Sequence, residues 1–275
     1  MQTPLRLALL LLVLAATLRQ QGTAQPLPTA PSQLPPSVAL PFPVPFDRIL
    51  NPDTRGILIG PYGGGNFNMH NGQFVLTENN IVCCTFDEGS GIGPVFGAKA
   101  MIPLGEQLSL SPRIAYESRA GDFETTSDPV PIFGQNNQVE NVIFTDRLEA
   151  NLATFNMDLL GTYTLTDFGL YLALGPSAGI VMGKDFTKTE TITTPDGVVY
   201  QNGTGTEQQL FTGELDIVNT LQFELRGGLG AIIGITDAIS LNPEVLYGFP
   251  FTKISKEDDW KTSPIQFTIG LLFAL

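Results

Sequence analysis

The chain has 275 residues, of which 43% are hydrophobic and 15% are charged, and its formal net charge at pH 7 is −13. Its few Lys and Arg residues form no cluster, which excludes a nucleic-acid-binding surface because phosphate contacts need clustered cationic side chains. With a single His and two Cys residues in the whole chain, we expect no metal site and no cofactor.

The first 54 residues predict an export signal followed by a linker. Arg6 precedes an apolar run at residues 7–18, and small residues follow up to Ala24, which is typical of a cleaved signal peptide over residues 1–24. The apolar run is shorter than the roughly 20 residues that a membrane-spanning helix needs. Residues 25–54 are rich in proline, which favours extended conformations, so we interpret them as a periplasmic linker.

From residue 55 onward, apolar residues alternate with small or polar ones, which is the period of a β-strand. No segment has the pattern of an amphipathic helix. The alternation predicts eight strands, at about 56–67, 91–103, 107–118, 147–165, 168–181, 216–235, 238–250 and 263–275. Tight turns and long loops connect them in strict alternation. Such a rhythm indicates an even-stranded meander with turns on one rim and loops on the other.

The two faces of each predicted strand differ in polarity. One face of the fifth strand carries Phe168, Leu170 and Leu172, and the other carries Gly169 and Tyr171. Either face could be the wet one, but the export signal, the sorted loops and strands of more than ten residues favour a membrane. We therefore predict an all-β, eight-stranded antiparallel up-and-down transmembrane β-barrel over residues 55–275, in the outer membrane of a diderm bacterium.

On this interpretation, the polar face lines a narrow lumen. The interior of an eight-stranded barrel is only wide enough for side chains to fill, so we expect inward charges to pair with one another. These charges are Lys99, Arg113, Glu117, Asp158, Glu224, Arg226 and Glu244. Proline cannot donate to a β-ladder, so prolines inside the strand patterns oppose the interpretation. They are Pro94, Pro112, Pro176, Pro243 and Pro264.

Several phrases share a strand motif, namely "LSLSPRIAYES", "ISLNPEVLYGFP", "FGLYLALGPSAGIVM", "GILIGPYGGGNFNMHNG" and the final "FTIGLLFAL". They resemble the PorT-like and OmpA-like outer-membrane β-barrel domains, and the resemblance covers nearly all of residues 55–275. It implies a place among outer-membrane lipids and lipopolysaccharide. It also implies that the last strand is the signal read by the barrel assembly machinery, through Phe267, Ile269, Leu271, Phe273 and Leu275.

The first predicted loop holds the residues that are most able to take part in a reaction, namely a histidine and two cysteines. His70 is the one imidazole available to a catalytic triad, but no nucleophile or acid motif accompanies it, so we expect a solvated loop histidine. Adjacent Cα atoms lie about 3.8 Å apart, less than the usual disulfide range of about 4.4–6.8 Å. For Cys83 and Cys84, a strained disulfide between the two, an intermolecular disulfide and unpaired thiols therefore all stay open.

The acidic runs at residues 121–129 and 255–260 predict solvated loop surfaces, with cation bridging to lipopolysaccharide as the alternative. Together these observations predict a monomeric, non-enzymatic outer-membrane barrel with a structural or surface-interaction role, and not a large pore. One alternative is an exported soluble barrel that binds an apolar ligand, in the manner of lipocalins. The other is a barrel enzyme at the loop rim, which would have to use His70.

Overall fold

The structure is a computed structural model that describes residues 56–78, 81–133, 139–194, 198–200 and 205–275. The predicted signal peptide and linker, residues 1–54, lie outside the described residues. The described part contains no helix that is both long and apolar enough to cross a membrane.

Twelve strands follow one another along the described residues, and all of their pairings are antiparallel. They are β1 (Leu58–Glu78), β2 (Ile81–Pro103), β3 (Leu108–Ser118), β4 (Gly121–Thr126), β5 (Val130–Phe133), β6 (Val139–Thr164), β7 (Leu170–Thr194), β8 (Glu207–Glu214), β9 (Leu221–Ala231), β10 (Ile233–Gly234), β11 (Ile239–Pro250) and β12 (Lys261–Ala274).

Eight of the strands close a ring. They pair in the order β1, β2, β3, β6, β7, β9, β11 and β12, and β12 returns to β1 with Tyr62 opposite Gly270 and Phe67 opposite Ile265. Tight turns join β2 to β3, β6 to β7 and β9 to β11 on one rim, which we call the turn side; the other rim is the loop side. The predicted eight-stranded antiparallel barrel is confirmed.

The barrel strands extend much further on the loop side than the sequence pattern predicts. β1 and β2 continue through residues 68–78 and 81–90, and β6 and β7 reach 26 and 25 residues in length. The prediction of long loops over these residues is wrong. The short strands β4, β5 and β8 add to the sheet there, through pairing with β6 or β7.

An inversion of polarity along the long strands, clearest in β6, explains this error. The buried inner face of β6 changes from Leu148, Ala150 and Leu152 near the loop side to Asn156 and Asp158 further down. Its exposed outer face changes in the opposite sense, as Arg147, Glu149 and Asn151 give way to Phe155, Met157 and Leu159. A search for one continuous apolar face therefore ends at the point where the two faces exchange character.

The inner faces build three layers along the barrel. An apolar layer lies next to the turns, with Leu58, Met101, Leu160, Ile232, Leu246 and Leu272. A second apolar layer, which we call the cap, fills the loop side; it contains Phe74, Leu76, Cys84, Phe86, Phe123, Leu148, Leu152, Phe186, Leu215, Val218, Ile254 and Trp260. Buried polar and charged side chains occupy the part of the lumen between the two layers.

The prolines that opposed the barrel interpretation do lie within the strands. Pro94, Pro112, Pro176 and Pro243 are at outward positions and have cross-strand partners. Pro264 pairs with Asn68 of β1, but the pairing between β11 and β12 ends just before it, at Tyr247 opposite Ile265. Proline cannot donate a ladder hydrogen bond, which fits the end of the β11–β12 pairing at this position.

The hairpin of β1 and β2 approaches the connection between β11 and β12 closely at Gly72. This residue has a φ of 95°, and a Cβ atom on it would lie 1.7 Å from the backbone oxygen of Asp259. Gly205 has a similar φ of 83° but no atom within 4 Å of the same position. We expect Gly205→Ala to lower the free energy of unfolding by about 1 kcal/mol, from backbone strain alone. Gly72→Ala should lower it by about 3 kcal/mol, because the neighbouring backbone must also move.

The free energy of unfolding of both glycine variants is measured by reversible urea unfolding from lipid vesicles. Gly205→Ala is the matched control, since both positions have left-handed backbone and only one has a close neighbour. Equal losses would contradict the close approach of residue 259 to β1.

Candidate functional site

The outer surface of the barrel carries a continuous apolar belt. On β12 the outward side chains are Ile265, Phe267, Ile269, Leu271 and Phe273, and those from Phe267 to Phe273 are exposed. The other barrel strands contribute exposed residues in the same way, including Ile59, Phe96, Ile114, Met157, Leu174, Leu229 and Val245. Among the described residues, no outward position within this belt carries a charge. The belt covers roughly 30–40 Å along the strands, which a tilt of about 45° converts to roughly 25 Å of height.

The lower part of the lumen is organised around the carboxylate of Glu244 on β11. Lys99 Nζ donates to Oε2 of this carboxylate at 2.5 Å, and Arg113 donates to both oxygens at 2.9 and 2.7 Å. The hydroxyl of Tyr171 also donates to Glu244, and it accepts a hydrogen bond from Asn242 Nδ2 at 2.8 Å. The side chains of Lys99, Arg113 and Glu244 are almost completely buried.

The upper part is organised around the guanidinium of Arg226 on β9. It donates to Glu117 at 2.5 and 2.7 Å, to Asp158 at 2.9 Å and to Glu224 at 2.6 Å. Arg119 joins the same group, with hydrogen bonds of 2.9 Å to Glu117 and of 2.9 and 3.2 Å to Glu224. These five side chains are buried in the middle of the barrel.

The structure brings all seven charges that the sequence suggested into these two groups, which together we call the lumen network. Sequence reasoning missed Arg119, because it follows Ser118, the last residue of the third predicted strand, and lies in the break between β3 and β4. It also missed the hydroxyl of Tyr171, which the strand pattern places on the inner face among small residues. With Arg119 included, four basic side chains meet four acidic ones, so burial of each charge is compensated.

His70 lies on the inner face of β1, at the boundary between the lumen network and the cap. The prediction of a solvated histidine is wrong, since only 1% of the residue is exposed. Nε2 donates to the carbonyl oxygen of Ala120 at 3.2 Å, while Nδ1 accepts from Trp260 Nε1 at 3.1 Å and from the Thr262 hydroxyl at 2.8 Å. The edge of the Phe123 ring also meets the imidazole, with centroids 5.1 Å apart. The neutral imidazole therefore connects β1 to Ala120, Trp260 and Thr262 through hydrogen bonds at the edge of the cap.

The cysteine pair does not lie in a loop, because positions 83 and 84 both belong to β2. Cys84 is buried within the cap and is disulfide-bonded. The side chain of Cys83, the chain's other cysteine, lies outside the described residues. Within the described part of the chain, no three His, Cys, Asp or Glu side chains stand together in a way that could hold a metal ion.

Comparison with known proteins agrees with this geometry. The family described as "Outer membrane protein beta-barrel domain" matches residues 32–256, which is most of the chain. This chain belongs to that family. The outer-membrane protein is therefore an integral barrel whose apolar belt faces lipid, and the alternative of an exported soluble barrel does not fit. By the usual arrangement of such barrels, the turn side is periplasmic and the loop side is extracellular.

Solved structures give weaker similarities. Ail, the attachment invasion locus protein of Yersinia pestis, is 8% identical with a TM-score of 0.33, and the match covers 80% of this chain and 100% of Ail. OprG from Pseudomonas aeruginosa is 12% identical with a TM-score of 0.31, over 80% of this chain and 96% of OprG. The outer membrane protease OmpT from Escherichia coli is 10% identical with a TM-score of 0.31, over 82% and 97%. No curated protein matches the sequence.

Because the belt faces lipid, the loss of stability caused by an introduced charge should depend strongly on its depth in the bilayer. Ile269 is exposed at the middle of the outward row on β12, and Ile57 is exposed beside the turn-side end of the barrel. We expect Ile269→Arg to lower the free energy of unfolding from lipid vesicles by about 2–4 kcal/mol, and Ile57→Arg by about 0–1 kcal/mol. Because the two positions share residue type and exposure, equal losses would show that the belt does not face hydrocarbon.

The surroundings of His70 also predict a pH effect. His70 lies beyond Phe67, the last exposed large apolar residue of β1, and is thus outside the lipid-facing belt. Burial lowers the pKa of His70 from 6.5 to about 4. The folded protein therefore binds fewer protons than the unfolded chain between these pH values, and its stability falls as the pH falls from about 6.5 to about 4.

The histidine contribution to this loss should reach about 3 kcal/mol at pH 4, because a protonated Nδ1 would face two donors. His70→Gln should be less stable than the parent at pH 7 but should lose less stability on acidification. Urea unfolding of both proteins at a series of pH values separates this effect from the titration of carboxylates, which the two share. Parallel pH profiles would contradict a buried, neutral His70.

Proposed function

We propose that this outer-membrane protein is a sealed, monomeric and non-enzymatic barrel that holds a folded β-structure at the cell surface, where it acts through contacts with other molecules. The observation that carries the proposal is the filling of the lumen, with apolar layers at both ends and the lumen network between them. A cavity of about 30 Å³ beside Arg119 and Glu224 has room for one or two water molecules. An interior of this kind does not act as a large pore.

The position of His70 supports a non-enzymatic role. A general base has to come within hydrogen-bond distance of a substrate, directly or through one water molecule. The imidazole of His70 is buried, and its ring nitrogens are bonded to Ala120, Trp260 and Thr262. Catalysis at the loop rim by this residue would require the cap to open.

The surfaces of the barrel support the partners that we propose. Lipid and lipopolysaccharide would surround the belt, and carboxylates just beyond it on the loop side, such as Asp122 and Glu149, would meet lipopolysaccharide through divalent cations. The outward row Phe267, Ile269, Leu271 and Phe273, with Leu275, is our candidate for the signal read by the barrel assembly machinery. A single chain closes the ring, so no partner subunit is needed to complete the wall, which supports a monomer.

Conductance measurements test the sealed lumen. We expect purified protein in planar bilayers to give no large, stable current steps, since paired charges and apolar layers fill so narrow a barrel. Altered gel mobility of unboiled samples would establish that the inserted protein is folded, and a sixteen-stranded porin serves as the positive control. Porin-sized steps from folded protein would overturn the proposal.

A further inference from the structure

Four of the eight barrel strands stop early on the loop side, and β4 and β8 continue the wall in place of β3 and β9, whereas no described strand takes the place of β11 and β12. β11 ends at Pro250 and β12 begins at Lys261, whereas β1 continues to Glu78 and β7 to Thr194. β8 extends the wall next to β7. In the ring order, β11 and β12 stand between β9 and β1, so the described residues place no strand between β8 and the outer part of β1. We call this gap in the extracellular wall the notch.

Residues 251–260 form the floor of the notch. Asn219 N donates to Ile254 O at 2.7 Å, Lys256 N donates to Ile217 O at 2.8 Å, and Val218 and Ser255 form an isolated β-bridge. At the other end of the floor, Asp259 lies against Gly72 and the indole of Trp260 is buried in the cap. These contacts tie the floor to the neighbouring segment and to β1, and the cavity of about 30 Å³ beside Arg119 and Glu224 is also lined by Val218 and Ile254.

One edge of β8 borders the notch. β8 pairs with β7 from Asp185 opposite Glu214 to Thr191 opposite Glu207, and within the described residues it has no other strand partner. An unpaired edge presents N–H and C=O groups to any extended chain that reaches it. Lysine and proline on an edge strand hinder such pairing, and the sequence of β8, "EQQLFTGE", has neither. Its ladder with β7 has one register shift, which skips Leu210. Leu210, at its centre, is 37% exposed.

The charges around this edge are mainly acidic. Glu207 and Glu214 stand at the two ends of β8; on β7, Asp185 lies opposite Glu214 and Glu190 lies opposite Gln208. Lys184 is engaged by Glu214 at 3.2 Å and by Asp216 at 2.9 Å, and the buried Lys188 lies 3.0 Å from Asp146. An excess of negative charge is left at the exposed edge, which favours a cationic partner.

The same charges disfavour a second copy of this chain. Antiparallel pairing of two β8 strands about the centre between Leu210 and Phe211 would set Glu207 of each copy opposite Glu214 of the other. Like charges directly opposite in a β-ladder are destabilising. The unpaired edge of β8 is therefore better suited to a different polypeptide than to β8 of a second copy.

We propose that the β8 edge of the notch binds an extended, Lys- or Arg-bearing segment of another protein by β-strand addition. Main-chain hydrogen bonds to the free edge supply affinity, and side chains of the added strand supply selectivity: cationic residues near Glu207 and Glu214, and an apolar residue beside Leu210. This inference rests on the proposed function, because the loop side must be accessible at the cell surface.

The test uses the full protein in detergent or vesicles and a synthetic peptide, Lys-Thr-Val-Thr-Val-Thr-Lys. Two peptide controls replace both lysines by glutamate, or carry N-methyl groups at alternate residues that remove the backbone donors. We expect the lysine peptide to bind, and each control to bind at least about tenfold more weakly. An N-methylated peptide that binds equally well would overturn β-strand addition.

Two variants of the protein test whether the peptide binds at the β8 edge. Glu207→Lys should weaken binding at least about tenfold, while Glu106→Lys, which changes the net charge equally but lies in a turn on the opposite rim, should change it less than about twofold. Altered gel mobility of unboiled samples establishes that both variants fold. Equal losses in the two variants would indicate unspecific attraction to an acidic protein and would overturn the proposal. Concentration-dependent dimerisation that Glu207→Lys strengthens would assign the edge to a second copy instead.

The outcome separates this inference from the proposed function. Peptide binding to intact cells, combined with porin-sized currents from the purified protein, would refute the sealed barrel and preserve the edge site. Protein that gives no large current steps and binds none of the peptides would refute the edge site alone.

Discussion

Every part of this structure depends on the need of backbone N–H and C=O groups for partners within hydrocarbon. An open sheet would leave two unpaired edges in lipid, where each unsatisfied group costs several kcal/mol. Pairing of β12 with β1 removes both edges and fixes the barrel at eight strands. A ring of that size leaves an interior that side chains fill. The identity of those side chains then decides whether the lumen is an open channel or is filled.

In this protein, buried charges occupy the middle of the lumen and pair with one another. Lys99 and Arg113 share Glu244, and Arg226 gathers Glu117, Asp158 and Glu224 around one guanidinium. The bidentate contacts of Arg113 and Arg226 use the fixed geometry of guanidinium groups, which suits them to buried pairs. Pairs of this kind add little net stability compared with a well-packed apolar core, but they cannot be broken one partner at a time without a large cost. The network therefore connects β2, β3, β6, β9 and β11 across the lumen.

Outside the membrane, the surroundings of the outer surface change from lipid to water, and the two faces of the strands that continue there exchange roles. The outer face becomes polar, and the inner face becomes the aromatic cap around Phe74, Phe123 and Trp260. His70 lies at this boundary as a neutral acceptor and donor. β11 and β12 do not continue into the cap, so the extracellular wall has an interruption where the membrane wall has none. An open edge is tolerated there because water can satisfy its backbone groups, which lipid cannot do.

The sequence alone determined the parts that follow from local alternation. Eight strands, their turns, the outward apolar rows and seven inward charges all follow from a period of two, because each side-chain direction is set by position along the strand. The tertiary structure decided what that period does not encode. It showed that residues 68–78, 81–90 and 182–194 are strands, since the apolar face there turns inward and the pattern breaks at the change of solvent. It also decided which charges pair, because residues far apart in sequence, such as Arg113 and Glu244, meet only when the ring closes. For the same reason, the burial of His70 became visible only in the folded barrel. The sequence placed the loop-side ends of β11 and β12 correctly, but only the structure showed that their neighbours continue beyond them.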